Sequence, residues 1–197
     1  MQTTNTSPGK NLLFAIEEVT SPQSQHMRGM NRWLEEIFPE YCPPRFDRLL
    51  TNIRRPNGKH QIQIFVGLIE KQVAGLAQLF YREWRGGLLA DIDLLGVLEP
   101  YRRTGLASAL VQQSLRATGE IAQQYRAPAI GVVTLADPQY APIIQLHQKQ
   151  GGRIRSDYQY PSGDVIVWYP MQPKYDDIPS HLLGEQLRQF GKLLENR

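Results

Sequence analysis

The chain has 197 residues, which suits one domain with a small appendage rather than several domains. Its net charge is only +3 and its basic residues are dispersed, so a phosphate-bearing ligand fits but a nucleic-acid partner does not. A hydrophobic fraction of 41% allows a real core, and the single cysteine, Cys42, excludes an intrachain disulfide and a cysteine-based zinc site, in keeping with a reducing, cytoplasmic setting.

Residues 1–10 are polar, broken by Ser7-Pro8-Gly9, and lack the apolar stretch of a leader, so they read as a loose tail. Residues 12–19, LLFAIEEV, form a first strand. Ser21 as N-cap and Pro22 at the first helical position then predict a helix to about Phe38, with Met27, Met30 and Leu34 on one face. Pro39 and Cys42-Pro43-Pro44 stop it. Residues 45–53 read as a second short helix and 54–60, RRPNGKH, as a solvated basic turn. Residues 62–70 and 73–84 form a hairpin around Lys71-Gln72, and Arg85-Gly86-Gly87 leads into a further strand. Pro100 cannot continue a central ladder, which ends that strand near Val97. Leu106, Leu110, Val111 and Leu115 then follow helical spacing.

Residues 131–135 are a short valine-rich strand, and Asp137-Pro138 opens a helix that stops at Gly151-Gly152. Residues 153–160 and 164–169 make a last hairpin around Pro161-Ser162-Gly163. Beyond Pro173, Ile178, Leu182, Leu183, Leu187, Phe190, Leu193 and Leu194 give a helical apolar stripe, buried either on its own domain or in a homodimer. Glu185 and Glu195 among its basic residues argue against a membrane surface, and no run approaches the roughly 18 apolar residues that span a bilayer. The expected organisation is a tail over 1–10, a domain over 11–173 and an amphipathic helix over 174–197. The order of elements predicts an α/β fold, a mixed and mostly antiparallel sheet of six or seven strands flanked by helices.

The chain is organised around residues 88–116, LLADIDLLGVLEPYRRTGLASALVQQSLR. Strand, cationic turn and helix start together make an anion site. First-turn N–H groups have no intrahelical partner, and the helix dipole adds positive character. Arg102 and Arg103 add full charges, and Gly105 lets a phosphate approach backbone without a Cβ in the way. The stretch from Val97 to Ala107, VLEPYRRTGLA, resembles the acyl-CoA pyrophosphate loop of the GNAT superfamily of N-acetyltransferases, Q/R-x-x-G-x-G/A, with Arg102, Gly105 and Ala107 at its three specified positions. The resemblance extends over about residues 10 to 172. It implies the GNAT fold and transfer of an acetyl group from acetyl-CoA to a small-molecule or peptide amine, by direct attack in a ternary complex and without a metal. An inactive CoA-binding module is the alternative.

By the same resemblance Arg102, Arg103, Thr104, Gly105, Leu106 and Ala107 hold the pyrophosphate. Leu95, Gly96 and Val97 line the pantetheine arm, with an oxyanion donor from backbone near Leu94 or Leu95. Asp91 and Asp93 are the candidate bases. Two apart on a strand, they share a face about 6–7 Å from each other. Burial in so apolar a run is costly without partners and raises at least one pKa. Asp91 matches the position where histone-type members carry a catalytic glutamate; pairing with basic residues is the other reading. The family places an acidic tyrosine in Leu-Tyr-x-x-x-Gly-Phe. Here the stretch reads Leu146-His147-Gln148-Lys149-Gln150-Gly151-Gly152, which puts His147 at the tyrosine position, with Tyr140 as an alternative phenol. Glu36, Glu40, Tyr41, Tyr158 and Tyr160 are the candidate acceptor-binding residues.

Overall fold

The computed structural model describes residues 12–39 and 60–195. Cys42, the helix expected over 45–53 and the basic turn up to residue 59 lie outside them, as do Glu40 and Tyr41. The strands are β1 Phe14–Glu18, β2 His60–Ile69, β3 Gln72–Trp84, β4 Gly87–Val97, β5 Ala129–Ala136, β6 Arg153–Gln159 and β7 Val165–Pro170. The α-helices among the described residues are α1 Met27–Ile37, α2 Leu106–Gln124, α3 Ala141–Lys149 and α4 Ser180–Glu195. Among the described residues seven strands form one mixed sheet in the order β1-β2-β3-β4-β5-β7-β6, with β4 and β5 parallel. Among the described residues no helix is long and apolar enough to cross a membrane. The chain packs as two compact units, the first comprising residues up to Leu79 with Leu94–Leu110 and the second the remainder.

In the first unit, β1 pairs antiparallel with β2 from Phe14↔Ile69 to Glu18↔Phe65. The hairpin into β3 turns at Glu70 and Lys71, both left-handed (φ 51 and 65), one residue earlier than the sequence suggests. Such two-residue turns carry the twist a hairpin needs. Helix α1 starts at Met27 rather than Pro22. The Ser21 hydroxyl and carbonyl are taken by a tight turn, accepting the Gln23 N–H (3.2 Å) and the Ser24 N–H (3.0 Å). Met30, Trp33 and Leu34 are the buried face of α1, the i, i+3, i+4 spacing of a helix on a core. Leu106 opens α2 inside a notch made by two strand glycines. A Cβ at Gly67 would stand 2.5 Å from Leu106 Cδ1, and one at Gly75 3.1 Å from Leu106 Cδ2. The fully packed Leu106 therefore fixes where helix α2 begins.

In the second unit, β4 and β5 run parallel from Leu88↔Ala129 to Ile92↔Thr134, and β7 pairs antiparallel with both β5 and β6. Helix α3 starts at Ala141, later than Asp137-Pro138 suggests. The Asp137 carboxylate accepts the Gln139 N–H at 2.8 Å and its carbonyl the Tyr140 N–H at 3.1 Å, so a separate turn precedes the helix. Ile178, Leu183, Leu187 and Phe190 are buried, with the Phe190 ring 6.5 Å from that of Phe80 on β3. At these positions the stripe packs back on its own unit.

Candidate functional site

The turn between β4 and α2 is built by local hydrogen bonds. After β4, the Leu98 N–H donates to the Ala74 carbonyl (2.8 Å), and residues Glu99–Tyr101 make one 3-10 turn. Arg102 Nε donates to the Val97 carbonyl at 3.3 Å, and the buried Thr104 hydroxyl to that of Tyr101 at 2.8 Å. These bonds spend the turn's own carbonyls. Arg103 and Gly105 are both left-handed (φ 65 and 86), and the first bond into the helix is Ala109 N–H to Gly105 carbonyl. The N–H groups at the start of α2 therefore keep the orphan status of any helix N-terminus. Arg102 and Arg103 are exposed beside them. Successive N–H groups around left-handed residues form an anion-binding concavity, so the residues present fit a pyrophosphate.

The β4–β5 ladder closes at Ile92↔Thr134, where Thr134 Oγ1 donates to the Ile92 carbonyl at 2.7 Å. Strand β4 continues to Val97, and β5 continues to Ala136 in register with β7. Asp91, opposite Val133, lies just before this point and is 4% exposed; Asp93 is half-buried. Burial raises the Asp91 pKa well above the usual carboxylate value, and repulsion from Asp93 adds to it.

The β6–β7 hairpin carries Tyr158 and Tyr160, both half-buried. The Tyr158 hydroxyl accepts a hydrogen bond from Arg188 Nη1 on α4 at 2.9 Å. The Tyr160 pKa is raised, chiefly by burial; Arg188 opposes the rise while Asp91 and Tyr158 add to it. Asp91, Tyr160, Tyr158 and Arg188 thus share one electrostatic neighbourhood.

His147 lies on α3. It is 1% exposed, its Nδ1 lies 2.6 Å from the Tyr169 hydroxyl, and burial lowers its pKa to about 4. It is therefore neutral at ordinary pH and enclosed in the core. Burial also raises the Tyr169 pKa. Tyr140 stands at the N-cap of α3, 46% exposed, and Glu36 is exposed on α1. Leu95 and Gly96 are half-buried and Val97 is buried. Sequence reasoning did not single out Thr134 or Arg188. A signal for the second existed in Gly184, a glycine inside an amphipathic helix, which marks a close approach.

The mixed sheet, its flanking helices and the arginine-flanked turn from β4 into α2 define an α/β fold. The sequence profile of the acetyltransferase (GNAT) family matches residues 27–151. The chain belongs to that family. Arabidopsis thaliana NAA60 in complex with acetyl-CoA superposes with a TM-score of 0.61 at 16% identity, over 80% of this chain and 98% of that one. Ard1 from Thermoplasma volcanium gives 0.55 at 20% identity, over 81% and 98%. The aminoglycoside acetyltransferase meta-AAC0020 from an uncultured soil metagenomic sample gives 0.54 at 19%, over 70% and 86%. At these identities the likeness is one of fold. No curated protein matches the chain in sequence.

Proposed function

We propose that the chain is an N-acyltransferase that moves the acetyl group of acetyl-CoA to a primary amine of a small molecule or peptide, by direct attack in a ternary complex. The observation that carries the reading is the turn of residues 98–106, set at the start of α2 by Leu106 in its glycine notch and falling inside the stretch matched to the family. Residues 103–107 offer N–H groups to the pyrophosphate, and Arg102 and Arg103 add charge. Leu95, Gly96 and Val97 lie along the pantetheine arm, and a backbone N–H near Leu94 or Leu95 receives the charge that develops on the thioester oxygen.

Asp91 accepts a proton from the acceptor's ammonium, with Asp93 holding its pKa up. The freed amine attacks the thioester carbon, the adduct nitrogen gives its second proton to water, the C–S bond breaks, and the thiolate takes a proton, so that the amide and the free thiol both leave neutral. Tyr140, which is exposed, is assigned that last proton in preference to the enclosed, neutral His147. Glu36, Glu40, Tyr41, Tyr158 and Tyr160 belong to the acceptor side.

Calorimetric titration with acetyl-CoA tests the reading, alongside the Arg102→Ala/Arg103→Ala variant. Micromolar binding, weakened about tenfold or more in the variant, is expected. Released thiol with a panel of amines then separates a transferase from an inactive CoA-binding module. Absence of binding to acetyl-CoA, free CoA and longer acyl-CoAs would sink both.

A further inference from the structure

The turn from β4 into α2 carries two adjacent arginines in different circumstances. Arg102 is extended (φ −64, ψ 155), and its Nε donates to the Val97 carbonyl at 3.3 Å. Its own N–H donates to the Glu99 carbonyl at 3.1 Å. Backbone and side chain of Arg102 are thus both tied to the turn, the side chain to the last residue of β4. Arg103 is exposed and makes no side-chain hydrogen bond or ion pair among the described residues. It is also left-handed (φ 65), a conformation that glycine takes freely and that a residue with a Cβ takes against steric resistance. The backbone at 103 suits glycine, and the chain places an unattached cation there.

The chemistry of the donor says what such a cation is for. CoA carries a pyrophosphate and, apart from it, a phosphate monoester on the ribose 3′ oxygen. Linked phosphates suit successive backbone N–H groups, which residues 103–107 offer. The monoester approaches a double negative charge above about pH 6 and presents three acceptor oxygens. A planar guanidinium fork matches it in charge and geometry. Arg103, beside the backbone donors but held by no other group, is suited to a second anion on the same ligand. Arg102, drawn back to β4, is suited to holding the turn in shape.

We infer that Arg103 is a specificity-determining residue that takes the ribose 3′-phosphate of CoA, and that Arg102 is a positioning residue for the turn. This rests on the CoA-binding part of the reading above, and it makes 3′-phosphorylated CoA, not its dephospho form, the carrier that the protein selects.

The test is calorimetric titration with CoA and with 3′-dephospho-CoA at low ionic strength, where an exposed charge is least screened. The wild type should bind CoA about tenfold or more tightly than dephospho-CoA. Arg103→Gln and Arg103→Gly should each weaken CoA by about tenfold and leave dephospho-CoA within about twofold, so that the preference disappears. Arg103→Gly should melt at or above the wild type, because glycine relieves the left-handed backbone; its loss of CoA is then no loss of fold. Arg102→Gln should weaken both ligands alike. Three results overturn the inference and leave the CoA reading standing. They are equal binding of the two ligands by the wild type, equal weakening of both in the Arg103 variants, and a preference that survives in those variants. Binding of neither ligand to the wild type overturns both.

Discussion

Asp91, the proposed base, is a buried group whose burial costs the fold stability. Its folded pKa is raised, so the native state holds the proton more tightly than the unfolded chain does. As pH climbs above the ordinary carboxylate value of about 4, the unfolded state ionises first and native stability falls. Asp91→Asn, neutral and of the same shape, should therefore melt a few degrees higher at pH 8. Its kcat/KM should drop by about 100-fold or more, with the acidic limb of the pH profile lost. A variant of full activity would remove Asp91 from the role of base. His147 carries the opposite sign. Its pKa is lowered to about 4, so between the ordinary value and that point the unfolded chain takes up a proton that the native state refuses. Stability present at neutral pH is lost as pH falls from about 6.5 towards 4, by roughly 3 kcal/mol in all. His147→Gln retains a partner for the Tyr169 hydroxyl while abolishing that slope, which denaturant melts between pH 4 and 7 will show.

Among the elements, α2 depends most on a single close contact. With Leu106 seated against Gly67, an added methyl must displace the whole leucine side chain, since Cδ1, Cδ2 and Cγ all lie within 3.0 Å of it. Gly67→Ala should cost about 1–3 kcal/mol by overpacking and weaken acetyl-CoA about tenfold, because the shifted residue opens the helix proposed to hold the phosphates. Leu106→Val in the same chain should restore part of both, measured by melting and calorimetry. The turn and α2 were legible because their signals are local: Pro100, Gly105 and the apolar period from Leu106 stand next to one another. The starts of α1 and α3 were misread for a related reason. Ser21 and Asp137 are good caps, but each spends itself on an isolated turn before the helix. Nothing in those short stretches distinguishes the two uses. For α4 the stripe announced burial without saying on what; at Phe190 the neighbour is Phe80 of its own unit.

At the scale of the whole molecule, the order of strands and helices was readable because each element carries its own period, and the mixed seven-stranded sheet follows from that order. Relations between distant positions were not readable. Arg188 meets Tyr158 across 30 positions, and His147 meets Tyr169 across 22. The second pair also explains the departure at Gly151-Gly152, where the family pattern has an aromatic after the first glycine. A Cβ at Gly152 would stand 2.8 Å from Tyr169 Cζ and 2.9 Å from the His147 carbonyl oxygen. The Tyr169 ring of strand β7 lies against Gly152 and leaves no room for a side chain there. A phenylalanine in that space would be indifferent to acid. A phenol bonded to an imidazole is not, so this joint of the fold is one that registers protons.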